Sequence, residues 1–194
     1  MKKILLAAVL FSALTTSCKK NKTEEPSIVY AEEDYFGGYL IVTGFEQKTD
    51  LVINSPITAE MGVEFAPKVK GKITALKIKL PAVDNALRVT LWDKATKAVI
   101  KTEIVNVNNS STTTIFDIAD IDLIKDKEYF ITMNTNDFYI RSRTNNTNAT
   151  YPVTIGNIKV LSFQIEYGSA QIFPTFIVTK QYNGDLSFNF QQTQ

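Results

Sequence analysis

Tyr139, Arg141 and Arg143 alternate along one short apolar-polar run, so a strand there places an aromatic ring and two guanidiniums on one side. Such a trio suits a carboxylate, a sulfated sugar or a uronic sugar. The alternative is a solvated sheet face whose arginines pair with nearby Asp or Glu. Trp92 falls on the polar parity of its own strand with Arg88 and Thr90, opposite Leu87, Val89 and Leu91. An outward indole there stacks on the apolar face of a sugar and offers its N–H as a donor; the other reading tucks it under the Asp93 to Thr96 turn. Asp117, Asp120 and Asp122 carry oxygen ligands of the kind calcium takes. They lack the glycine turn and closing glutamate of a calcium loop, and edge-strand turn positions account for Asp120 and Asp122 equally. No metal or other cofactor is therefore expected.

Two carboxylates can hydrolyse a glycoside without any other catalytic group. Glu64, Asp93, Glu128, Glu166 and Asp185 are scattered through strand and turn positions, and no spacing marks two of them as facing across a cleft. Other chemistries are excluded by composition. The chain has no histidine and one cysteine, Cys18. Without imidazole there is no Ser-His-Asp or Cys-His nucleophile system and no histidine-containing zinc or iron site. No Walker loop, G-x-G-x-x-G, G-x-S-x-G or EF-hand loop is present. A non-enzymatic role follows as the expectation. With 21 basic and 20 acidic residues and a formal charge of +1, no field is available to recruit nucleic acid.

The amino terminus addresses location. Met1-Lys2-Lys3 is a positive head, Ile4 to Leu14 is apolar apart from Ser12, and Thr15-Thr16-Ser17 leads into Cys18. This is the layout of a secretory signal peptide, too short and wrongly flanked for a spanning helix. A cysteine at the cleavage point is what a bacterial lipoprotein signal offers for diacylglycerol transfer. Residues 1–17 are read as the signal and Cys18 as the lipidated first residue. Several acyl chains, each CH₂ worth about 0.8 kcal/mol when buried, anchor firmly. The polar run Lys19 to Ser27 cannot bury enough surface to order itself, so 18–38 is read as lipidated cysteine and tether. Lys19-Lys20 do not resemble the acidic signal that marks surface export in some Bacteroidetes, which favours the periplasmic face of an outer membrane.

Residues 39–194 are read as one domain built from strands. Leu76, Ile78 and Leu80 alternate with Lys77 and Lys79, and Leu87, Val89 and Leu91 repeat the pattern before a turn at Asp93 to Thr96 and a return strand, Lys97 to Val107. Further strands are predicted at Tyr39 to Phe45, Gly62 to Ala66, Thr112 to Ile118, Tyr129 to Asn134, Phe138 to Arg143, Ile158 to Tyr167, Gln171 to Val178 and Leu186 to Gln191. Leu161, Phe163, Ile165 and Tyr167 are expected to point inward together, as are Leu186, Phe188 and Phe190. No window shows a helical stripe. About ten short strands separated by Asn, Asp, Gly, Thr and Pro clusters fit an all-β, antiparallel β-sandwich that is jelly-roll-like. Without disulfides, its core packing alone must hold it.

The run Met61-Gly62-Val63-Glu64-Phe65, then Val69, Gly71 and Ile73 to Leu76, then Leu91-Trp92-Asp93, resembles an uncharacterised family of bacterial extracellular β-sandwich domains. The likeness continues through Leu123-Ile124, Asp126, Glu128-Tyr129 and Tyr139, and closes at Phe173-Pro174 and Asp185-Leu186-Ser187-Phe188. It covers the chain from about Gly62 onward. Members sit beside immunoglobulin-like modules and carbohydrate-active enzymes, here in a Bacteroidetes-type lipoprotein. Pro81 to Asn85 stands where the family carries a glycine-rich loop with a histidine. The resemblance implies a fold and a neighbourhood, and no activity. Together these readings describe a membrane-anchored, non-catalytic binding lipoprotein of the cell envelope whose ligand is a glycan or another envelope component. The alternative is a structural or accessory subunit that binds another envelope protein.

Overall fold

The computed structural model describes residues 28–193. Residues 1–17, read as a signal peptide, Cys18 and the polar run to Ser27 lie outside the described residues. The chain is an all-β antiparallel sandwich. In order it runs β1 (Glu32–Asp34), α1 (Phe36–Thr43), β2 (Lys48–Val52), β3 (Ala59–Pro67), β4 (Gly71–Lys79), β5 (Asp84–Asp93) and β6 (Val99–Val107). It continues through β7 (Thr114–Leu123), β8 (Tyr129–Thr135), β9 (Phe138–Ser142), β10 (Val153–Ile155), β11 (Ile158–Tyr167), β12 (Phe176–Ile177), β13 (Gln181–Asn183) and β14 (Asp185–Gln192).

Strands β10-β11-β3-β8-β5-β6 form the large sheet, with β12 added beside β11; β1-β14-β4-β7 form the second layer, and β13-β9-β2 a small third sheet. Successive strands alternate between the two main layers, β3 to β4 to β5 and β6 to β7 to β8, so each hairpin-length segment contributes to both faces of one core. The period-two pattern explains the packing. Met61, Val63 and Phe65 of β3, Leu87, Val89 and Leu91 of β5 and Ile131 and Met133 of β8 are buried against Leu76 and Ile78 of β4 and Leu186, Phe188 and Phe190 of β14. Each such side chain contributes about 1.5–3 kcal/mol when fully buried.

Three local expectations fail. Tyr39 to Phe45 is not a strand: it overlaps α1. The β-branched run Ile41-Val42-Thr43 favours extended backbone, but Gly44 adopts φ 75°, and the Gly44 and Phe45 N–H groups donate to the Ile41 and Leu40 carbonyls at 3.1 and 2.9 Å. That pairing closes the last helical turn, and glycine, with no Cβ, reaches such a φ without strain. The domain also starts before residue 39. β1, inside the segment read as tether, pairs with β14 through Glu32–Gln191, Glu33–Phe190 and Asp34–Asn189. Finally, Gln171 to Val178 contributes only the two residues of β12.

Helix α1 rests on an aromatic cluster. Tyr39 meets Tyr35, Phe45 and Tyr182 edge-on, and Tyr182 packs on Phe163 at 4.8 Å between centroids. The Tyr39 and Tyr151 hydroxyls are 2.6 Å apart, and the Tyr182 hydroxyl donates to the Leu186 carbonyl at 2.9 Å. Burial raises the pKa of all four phenols above the ordinary 10.0, Tyr151 to about 12 and Tyr35, Tyr39 and Tyr182 also well up.

Candidate functional site

Asp185 and Ser187 of β14 lie directly opposite Lys79 and Lys77 of β4, on the solvent side of the second layer because Leu186, Phe188 and Ile78 take the core side. The end of β1 brings Asp34 and the start of α1 brings Phe36 and Gly37 over one end, and β9 brings Arg141 over the other. Together with Thr113 they line a cleft of about 260 Å³.

The electrostatics of this cleft follow from who is paired. Arg141 grips Asp185 with two parallel bonds, Nε to Oδ1 and Nη2 to Oδ2, both 2.6 Å. This contact raises the guanidinium above its ordinary value, and Asp185 is only 4% exposed. Lys77 pairs with Asp34. Lys79 forms no ion pair among the described residues; its Nζ lies 5.1 Å from the centre of the Tyr139 ring, a cation–π distance. The lining thus holds three cations and two anions, with the surplus charge on Lys79.

The Tyr139, Arg141 and Arg143 trio is dispersed by these partners. Arg141 reaches the cleft already bound to Asp185. Tyr139 is buried, its hydroxyl donating to Ser111 Oγ at 3.1 Å and its ring covered by Lys79. Arg143 turns away. Its Nε donates to the Thr43 carbonyl at the end of α1, and Nη1 to Thr147 Oγ1 and the Asn148 carbonyl, at 2.7 to 2.9 Å. It clamps the helix end to the 144–149 loop. Lys79 escaped sequence reasoning because its strand parity marks it only as solvent-facing; what sets it apart is the Tyr139 ring from another sheet.

Trp92 is corrected too. It lies on the polar parity as expected, but it is 3% exposed and offers no stacking surface. Its Nε1 donates to Thr132 Oγ1 at 2.9 Å, and Phe173 stands edge-on to it at 5.7 Å and to Phe130 at 5.1 Å. The segment 168–175 crosses the outer face of the large sheet as a strap. Arg88 holds it through the Ser169 and Ala170 carbonyls, both at 3.1 Å, and Gln171 Nε2 donates to Thr90 and Thr102. Beneath it the ions are matched. Glu60 takes bonds from Arg88 Nη2 at 2.7 Å and from Thr132; Glu64 takes them from Lys94, Ser162 and Gln164.

The remaining candidates do not converge. Asp120 pairs with Lys72 at 2.6 Å, while Asp117 and Asp122 are exposed on β7. No group of three acidic, cysteine or histidine side chains able to hold a metal occurs among the described residues. Of the five carboxylates singled out in the sequence, Asp185 alone lines the cleft. Asp93 is held by Lys127 at 2.7 Å and by the Thr96 N–H, and its carboxyl is lowered to about 2 by these bonds. Among the described residues no helix is long and apolar enough to cross a membrane. Compared with protein-family models and with curated proteins, the chain matches none.

Proposed function

We propose that this chain is a membrane-anchored, non-catalytic binding module of the cell envelope whose cleft between β4, β14 and α1 takes an anionic saccharide, with a uronic acid as the minimal ligand. The observation that supports this is Lys79, a cation without a carboxylate partner, steered by the Tyr139 ring into a cleft with surplus positive charge. A ligand carboxylate pairs with Lys79 Nζ, and the Ser187 and Thr113 hydroxyls are available to sugar hydroxyls. The cleft is at the small end of ligand sites, which fits one ring or a chain end rather than a long polymer. The outer-membrane location, the lipid on Cys18 and the periplasmic orientation remain part of this proposal and rest on the amino-terminal sequence.

Isothermal titration with uronic-acid oligosaccharides and with neutral oligosaccharides of the same length tests it. Binding is expected for the acidic set alone, and Lys79→Ala is expected to abolish it while leaving thermal stability unchanged. Equal binding of neutral sugars, or uronate binding that survives Lys79→Ala, overturns it.

A further inference from the structure

Strand β6 is the outermost strand of the large sheet and pairs only with β5. Its sequence is Val99-Ile100-Lys101-Thr102-Glu103-Ile104-Val105. Read backwards from Thr102, it is the same sequence with the charges exchanged. An antiparallel partner of identical sequence, centred on Thr102, therefore sets Lys101 opposite Glu103 twice and Ile100 opposite Ile104 twice.

The exposure of these residues makes the symmetry consequential. Val99, Ile100 and Ile104 are 45%, 42% and 59% exposed, an apolar set without cover. Lys101 and Glu103 sit opposite Leu91 and Val89, on the core-facing side of β6, and line the mouth of an apolar crevice between the layers. Ile118 and Ile121 of β7 form its other rim. Lys101 Nζ already pairs with Glu103 along its own strand at 3.3 Å, and inward charges on an edge strand deter an incoming strand that offers them no counter-charge. Against a second copy of β6 in the Thr102-centred register, each charge meets its opposite. Another edge strand offers a contrast: β7 carries Asp117, Asp120 and Asp122 and no cation, so it has no such match with itself.

We propose that β6 is the interface of a two-fold dimer of this chain, joined edge to edge so that the two large sheets become one continuous sheet. The bulge that leaves Ile100 unpaired between Leu91–Lys101 and Trp92–Val99 ends the regular ladder on one side, which keeps the pairing short and fixes its register.

The test uses the full chain with Cys18→Ser, so that any introduced thiol is unique. Thr102→Cys places two thiols directly across the axis and is expected to give a covalent dimer under mild oxidation. Asn106→Cys, on the same strand but away from the axis, is expected to form no covalent cross-link. Adding Lys101→Glu to the Thr102→Cys chain turns both charge pairs repulsive and is expected to cut dimer yield about tenfold. Mixing that chain with a Thr102→Cys chain carrying Glu103→Lys sets opposite charges at both cross-axis pairs while each strand still lacks its own Lys101–Glu103 contact, so recovery of the covalent heterodimer separates pairing between chains from stability within one strand. Equal yields from Thr102→Cys and Asn106→Cys, no effect of Lys101→Glu, or no rescue by mixing overturns the proposal.

Discussion

The two outer faces of the sandwich are built from the same ingredients and behave differently. Each has cationic and acidic side chains beside aromatic rings. On the large sheet, Glu60 and Glu64 have cations and hydroxyl or amide donors, and the 168–175 strap seals the indole of Trp92 under Phe173. On the second layer, Arg141 and Lys77 are matched by Asp185 and Asp34, yet Lys79 is left over and the cleft stays open. The kinds of residue present do not separate a structural layer from a candidate site. The unmatched charge and the missing cover do.

Removing a partner on the sealed face is the harshest way to break this contrast. Arg88→Ala leaves Glu60, 1% exposed, with only Thr132 to answer it. A loss of about 3–5 kcal/mol is expected, read from denaturant unfolding. Phe173→Ala is milder, about 1–2 kcal/mol, because the ring is only half-buried. It also uncovers Trp92, so indole emission is expected to shift to longer wavelength and become quenchable by acrylamide. A strap that were mere decoration would leave the emission unchanged. In the open cleft, Lys79→Ala is expected to change stability by less than about 0.5 kcal/mol, since no ion pair is broken.

The smallest effect is confined to acid. Asp93, at the end of β5, has its carboxyl lowered from 3.8 to about 2 by the Lys127 and Thr96 contacts. A depressed carboxyl adds stability above pH 3.8 and gives it up as pH falls from there toward 2. Asp93→Asn is therefore expected to melt slightly earlier than the parent at neutral pH and to show a flatter decline in Tm across that acid window.

The alternation that marks β4 and β5 was legible because Leu76, Ile78, Leu87, Val89 and Leu91 obey it without interruption, and all are buried. In β11 the same reasoning slipped. The register shift between Val160 and Ser162 makes Leu161 an extra residue, so Val160 takes the core position and Leu161 is only half-buried. Tyr167, expected inward, is 67% exposed at the strand's end. A bulge changes parity without any compositional mark, and so does a turn that depends on one glycine, as at Gly44. The site was less legible still. Parity placed Trp92 and Arg141 on the correct faces, but Phe173 comes from a distant strap and Asp185 from β14, contacts that period-two patterning cannot anticipate.

The phenols packed beneath α1 give the molecule an alkaline boundary. Tyr35, Tyr39, Tyr151 and Tyr182 cannot shed their protons in place at the ordinary value of 10.0, whereas the opened chain can. The stability they confer is complete below pH 10.0 and drains away above it, at up to about 1.4 kcal/mol per pH unit for each ring. Tyrosinate absorbance on raising the pH should then divide into an early, gradual phase from accessible rings and a late, abrupt one that coincides with collapse of the sandwich at its helical end.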